Sequence, residues 1–393
     1  MTTQDHPQPE LSPRELLATL VAFPSVSRDS NLPLIDWVEN YLTSFGAECH
    51  RVYSPDGRKA NLYAHVGPKV EGGVVLSGHT DVVPVDGQDW SSDPWELTER
   101  DGRLYGRGAC DMKGFDALAI AAAVRATRAP LARPLQLALS YDEEVGCTGC
   151  IPMVEEMATR LPRASAVIVG EPSRMKVVTG HKGGSMFPTR IIGVPVHSSR
   201  QHLGVSAIHE AGRVLNWLNE VNAELMSTPP TPVAALFDPP FTTGSVGLIQ
   251  GGTAHNITAG ECSFTLGFRV VAGEDPEAWR ARYLAHIAEV EAGMKKVSEE
   301  AAIEVGEGFI VPALTPETDG AAESLARRLT GDNGTHVVSY GTEAGHFQKN
   351  GYSTVVCGPG DIAQAHTPDE YIELSEFNAG WRFMEKLLDD LAA

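Results

Sequence analysis

Four short apolar runs recur along the chain with helical stretches between them: Val74-Val75-Leu76, Leu135-Gln136-Leu137-Ala138-Leu139, Val167-Ile168-Val169 and Thr354-Val355-Val356. That alternation restricts the fold more than any other feature. Continuous apolar strands need cover on both faces, and intervening helices supply it. The pattern predicts an α/β fold with a mixed, mostly parallel sheet between helices. The helix between the first two runs is alanine-rich, from about 115 to 129. Upstream, Ser12-Pro13-Arg14-Glu15 reads as a capping box with proline at the first helical position. Ile35, Val38, Leu42 and Phe45 then repeat at helical spacing, with Gly46 as the stop.

The middle of the chain has another rhythm. A strand around Ile191 and Ile192 precedes a helix from about 205 to 226 and a proline-rich loop. Two strands flanking Gly251-Gly252, a helix starting near Asp275 and a strand over 301–305 follow. The order is β-α-β-β-α-β, the split pattern of a ferredoxin-like α+β domain. A chain of 393 residues also exceeds what one core sustains. The expectation is one domain from residues 1–179 and 312–393, interrupted by an inserted second domain over 180–311.

A formal net charge of -20 repels nucleic acid and anionic membranes, so neither is expected as a partner. No apolar run is long enough to span a bilayer. The stretch Met1 to Glu10 is polar, without the apolar core of a signal peptide. The six cysteines are scattered rather than arranged as a disulfide framework. These features predict a cytoplasmic protein.

The apolar runs lead into His79-Thr80-Asp81, Asp142-Glu143-Glu144 and Gly170-Glu171-Pro172. In open α/β sheets the carboxyl ends of strands are where ligands bind. Asp111 lies in a glycine-rich turn before a helix, and His366 in Ala365-His366-Thr367-Pro368-Asp369-Glu370. Taken singly, each has a plainer reading: a strand-end histidine is commonly structural, and paired glutamates are commonly solvated. Three separate strands delivering such residues to one sheet edge are harder to explain that way.

Four motifs spread over nearly the whole chain carry a resemblance: Gly78-His79-Thr80-Asp81-Val82-Val83-Pro84, Gly106-Arg107-Gly108-Ala109-Cys110-Asp111-Met112-Lys113-Gly114, Asp142-Glu143-Glu144-Val145-Gly146 and Gly170-Glu171-Pro172. They resemble the family of acetylornithine deacetylases and succinyl-diaminopimelate desuccinylases, which also includes aminoacylases and glutamate-releasing carboxypeptidases. Gly341-Thr342-Glu343-Ala344-Gly345 and Gly358-Pro359-Gly360, with the His366 motif, look most like the acetylornithine branch.

The resemblance implies two divalent metal ions, zinc first, with cobalt or manganese as alternatives. His79 and Glu171 would hold one ion, Glu144 and His366 the other, and Asp111 would bridge them. Asp81 would accept the second ring proton of His79, fixing its tautomer and orientation. Glu143 would be general base toward a metal-activated water. The resemblance makes 1–179 and 312–393 the catalytic domain and 180–311 a lid and dimerisation domain, from which His197 would reach a partner subunit's site and stabilise the oxyanion, implying a homodimer. Asn256 and Arg269 match substrate-binding positions, Arg269 suiting an α-carboxylate. An exposed strand cation is the plain alternative for Arg269. Glu343, between sheet elements, is a candidate for a substrate ammonium.

The implied reaction removes the acetyl group from N2-acetyl-L-ornithine, giving L-ornithine and acetate, a step of arginine biosynthesis. The same chemistry on another N-acyl amino acid or a dipeptide is the alternative, and a non-catalytic metal-binding relative is the alternative of another class. Some residues depart from the pattern. Pro188 falls where a strand should run, which predicts an edge or a bulge. His346 stands where the branch is usually apolar. Cys147-Thr148-Gly149-Cys150 has C-x-x-C spacing but no second ligand pair, so incidental packing is expected. No Gly-x-Ser-x-Gly elbow supports a serine hydrolase.

Overall fold

The computed structural model describes residues 9–393, so most of the polar stretch from Met1 lies outside the described residues. The chain divides into two compact units. The first comprises Met1–Gly180, Pro316–His336 and Thr342–Ala393; the second comprises His181–Thr315 and Val337–Gly341.

In the first unit a sheet runs Glu48–Tyr53, Ala60–Val66, Leu135–Ser140, Val74–His79, Ala166–Pro172, Thr354–Gly358. The last four of these strands are mutually parallel, and the first two join as antiparallel neighbours. All four parallel strands are buried along their whole length, as continuous apolar runs require. The alanine-rich helix is Lys113–Ala126, buried at every position but Arg125. Small side chains let it pack closely against the sheet and against the helices Pro13–Val21 and Leu374–Ala392. The capping box forms as the sequence predicts. Ser12 Oγ accepts the Glu15 N–H at 3.3 Å, and Glu15 Oε2 accepts the Ser12 N–H at 2.7 Å.

The second unit has the element order strand, helix, two strands, helix, strand. Its antiparallel sheet runs Thr243–Gly251, Glu261–Val270, Gly183–Ile192, Ala302–Val305. Buried and exposed residues alternate along Glu261–Val270, because the helices Ala207–Ser227 and Pro276–Lys295 supply the core partners Val214, Leu218, Tyr283 and Val290.

Pro188 lies not on an edge but opposite a bulge in its neighbour, the second of the two arrangements expected. It lies in a central strand with unbroken register to Glu261–Val270, opposite Thr265. On the other side the partner strand stops at Val305 and resumes at Phe309, so the ladder is interrupted at the level of Pro188. The Pro188 carbonyl still accepts the Gly306 N–H at 2.8 Å. Breaking the neighbour, rather than placing the proline on an edge, accommodates the absent donor. Among the described residues no helix is long and apolar enough to cross a membrane.

Candidate metal centre

Strand register brings the candidate ligands together. His79 pairs with Ser140 on one neighbour, so the turn that follows Ser140 sets Glu143 and Glu144 beside it. On the other neighbour Ser77 pairs with Val169, which places Glu171 level with His79 two residues on. Asp111 arrives from the turn before the helix Lys113–Ala126, and His366 from the loop after Thr354–Gly358.

The Asp111 carboxylate lies between the two imidazoles. Its Oδ1 is 3.1 Å from His79 Nε2 and its Oδ2 is 3.3 Å from His366 Nε2. Glu171 Oε1 is 3.8 Å from His79 Nε2, and Glu144 lies 3.0 Å from His366 Nε2. Ligand atoms of His79, Glu143 and Glu171 fall within 4.8 Å of one another, as do those of His79, Asp111 and Glu144. These two groups take in Glu143 and leave out His366, whose hydrogen bonds to Asp111 and Glu144 put it in the same cluster.

The cluster carries more negative charge than its side chains offset. Four carboxylates face two imidazoles, and among the described residues no lysine or arginine pairs with any of the four. Burial pushes the Glu143 carboxyl up to about 8, with His79 opposing and Glu144 reinforcing the shift. Burial and the neighbouring Asp111 and Glu143 charges raise Glu171 well above the carboxylate range. Against burial, hydrogen bonds from His366 and His79 hold Asp111 low. Bonds to Asp111 and Glu144 hold His366 up at about 10. A mixed nitrogen and oxygen donor set with surplus buried negative charge fits divalent cations.

Asp81 accepts the second ring proton of His79 as expected, but through its main chain. His79 Nδ1–H donates to the Asp81 main-chain carbonyl at 2.9 Å, while the carboxylate stands 3.7 Å away. The tautomer is still set so that Nε2 faces the cluster. The Asp81 carboxylate serves elsewhere. It accepts the Ser27 hydroxyl at 2.7 Å and the N–H groups of Glu143 and Glu144 at 3.2 and 3.4 Å. It therefore holds the turn that carries both glutamates.

The remaining candidates divide between the units. Glu343 belongs to the first unit and is only 1% exposed, with Oε1 unpartnered. Burial pushes its carboxyl up to about 7, against hydrogen bonding from Ser140 and Cys150. His197, Asn256 and Arg269 are exposed residues of the second unit. The first two are neighbours, since the Ser198 N–H donates to the Asn256 carbonyl at 2.9 Å. No ion pair involves Arg269 among the described residues.

Sequence reasoning missed several contacts. Cys147 is not incidental packing: its thiol lies 3.0 Å from Glu143 Oε1 as a donor. Burial and the Glu143 charge push that thiol well above its usual range, so it stays protonated. Lys59 pairs with Asp142, at the start of the same turn. Charged residues inside glycine-rich and apolar motifs, such as Arg107 and Lys113, were the available signal for such buried partners.

Comparison with known proteins agrees with this picture. Residues 75–390 match the model of peptidase family M20/M25/M40. The acetylornithine deacetylase of Myxococcus xanthus is 38% identical over 368 residues, 92% of this chain and 93% of that protein. That of Proteus mirabilis (strain HI4320) is 33% identical over 386 residues, 96% of each. Among solved structures, an M20 family metallo-carboxypeptidase from Sulfolobus solfataricus superposes with a TM-score of 0.78 at 18% identity, covering 97% of this chain and 99% of that one. Human carnosine dipeptidase 1 gives 0.71 at 19%, covering 97% and 96%. A family match over most of the chain, with relatives aligned along nearly their full length, places this protein in peptidase family M20/M25/M40.

Proposed function

We propose that this protein is a metal-dependent amide hydrolase that removes the acetyl group from N2-acetyl-L-ornithine, giving L-ornithine and acetate. The observation that carries the reaction class is the Asp111 carboxylate held between His79 and His366. Similarity to acetylornithine deacetylases over more than nine-tenths of the chain supports the substrate. His79, Asp111 and Glu171 would hold one divalent ion and Glu144, Asp111 and His366 the other, with zinc the best fit to such ligands. Bound there, the ions supply Lewis acidity toward the scissile carbonyl and make a water more acidic.

The chain's own groups do the rest. The Glu143 carboxylate takes the proton of the attacking water and returns it to the leaving amine nitrogen. Asp81 fixes Glu143 through the main-chain N–H groups of the turn. In a homodimer formed through the second unit, His197 of the partner subunit donates to the developing oxyanion. Arg269, free of ion pairs among the described residues, receives the α-carboxylate, and Asn256, beyond the opposite end of the same hairpin, contacts another part of the substrate.

Glu343 is the candidate for the ornithine ammonium, and its unpartnered Oε1 supports this. Its burial argues against direct contact, so Glu343→Gln decides. A selective loss of ornithine-type substrates supports recognition, and an equal effect on neutral N-acetyl amino acids removes it.

The overall test is acetate release from N-acetyl-L-ornithine, after chelation and after zinc or cobalt is restored. Metal-restored turnover establishes the reading. Folded, metal-loaded protein that leaves this substrate intact but cleaves another N-acyl amino acid or a dipeptide keeps the chemistry and overturns the substrate.

A further inference from the structure

Two charged residues of the sequence motifs, Arg107 and Glu370, have no part in the chemistry above, yet both are fully buried. They form an ion pair, Arg107 Nη1 to Glu370 Oε2, at 2.6 Å. The other Glu370 oxygen accepts two successive main-chain N–H groups, of Cys110 at 2.9 Å and of Asp111 at 3.0 Å. The main chain that presents Asp111 is thus bound to one carboxylate oxygen. Arg107 reaches the other loop. Its guanidinium donates to Gln88 Oε1, and Gln88 Nε2 donates to the His366 carbonyl at 3.0 Å. A weaker contact runs from Arg107 Nη1 to the Thr367 carbonyl at 3.4 Å.

Local pairing brings the two residues together across 263 positions of sequence. The strand Tyr371–Glu373 lies antiparallel to Arg103–Tyr105, with Tyr371 opposite Tyr105. One step further Glu370 meets Gly106, whose N–H donates to the Glu370 carbonyl at 3.0 Å. A buried charge needs a partner and hydrogen bonds on its remaining positions, and here those bonds end on the segments carrying Asp111 and His366.

We propose that Arg107 and Glu370 are positioning residues: a buried clamp that sets the spacing of Asp111 and His366 and so the geometry of the metal centre. The inference rests on the reading of those two residues as metal ligands. Groups that orient metal ligands tune affinity and coordination without touching the ion.

The test uses the full chain and buffered Co(II), whose visible absorption reports coordination geometry, with metal content measured at graded free metal. Glu370→Gln, Arg107→Lys and the milder Gln88→Ala are compared with Asp111→Asn and His366→Ala. Gln88 is only half-buried, so its variant is expected to fold even where the core variants do not. The expected result is a folded protein with metal affinity weakened about 10–100-fold, an altered Co(II) spectrum, and kcat lowered more than KM. Gln88→Ala is expected to change the spectrum in the same sense, by less. Wild-type Co(II) affinity and spectrum in Gln88→Ala and in every clamp variant that folds, with only Tm reduced, would overturn the clamp while leaving the ligands standing. Wild-type metal content in Asp111→Asn and His366→Ala would instead remove the ligand reading, and the clamp with it.

Discussion

Glu143 and Glu144 are adjacent in sequence, but their side chains meet different partners. Glu144 bonds His366, while Glu143 accepts from Cys147 and groups with His79 and Glu171. The division into base and ligand is testable. Glu143→Gln is expected to lower kcat by about 10²–10⁴-fold with metal content unchanged. Steady-state rates read beside metal analysis check this, and metal lost in step with kcat would make Glu143 a ligand. The Cys147 thiol is a neutral donor held in place by a left-handed backbone, φ 53°. Losing a hydrogen bond worth about 1 kcal/mol is expected to lower kcat about fivefold in Cys147→Ala. Cys147→Ser, which keeps a donor, should restore most of it. Equal rates in the two variants would mean that the contact does not matter to turnover.

At the scale of elements, His79, Glu144 and Glu171 come from the carboxyl ends of parallel strands and Asp111 from the turn before the helix Lys113–Ala126, so their spacing depends on how closely that helix lies on the sheet. Gly170 sits directly under that helix. A Cβ there would fall 2.0 Å from Phe115 Cγ, in the core. Gly170→Ala is expected to cost about 1–3 kcal/mol through overpacking. Because Glu171 is the next residue, metal affinity should fall as well. Thermal melts of the chelated and the metal-loaded variant separate the two effects: a Tm loss equal in both would show that the strand shifts without moving Glu171.

For the whole molecule, surplus buried charge ties stability to metal and pH. Burial raises the Glu143 carboxyl to about 8, and Glu171 is raised too, so the folded state binds more protons than the unfolded chain above about pH 4.3. That stability is complete below the unfolded value and is lost as pH rises through the folded one. His366, held at about 10, acts in the same sense above about 6.5. The chelated protein is therefore expected to lose several degrees of Tm between about pH 6 and 8.5, and the metal-loaded protein much less. A chelated Tm that is flat or rising over that window would show that groups outside the cluster govern the pH dependence.

The sequence by itself determined what depends on near neighbours and on period. The Ser12–Glu15 cap is visible within four residues, and the continuous runs at Val74, Leu135, Val167 and Thr354 declare strands buried on both faces. The candidate residues His79, Glu144 and Glu171 are legible because each closely follows such a run, and Asp111 and His366 because motif resemblance singled them out. What only the tertiary structure decided depends on register and packing between distant segments. Pro188 is tolerated in a central strand because its neighbour breaks between Val305 and Phe309. Asp81 holds His79 through a carbonyl and the glutamate turn through its carboxylate, and nothing in its sequence position distinguishes the two. Arg107 and Glu370 meet across most of the chain because two short strands pair. Propensity and hydrophobic period are written locally, whereas the partner of a buried charge is chosen by whichever distant backbone the fold lays beside it.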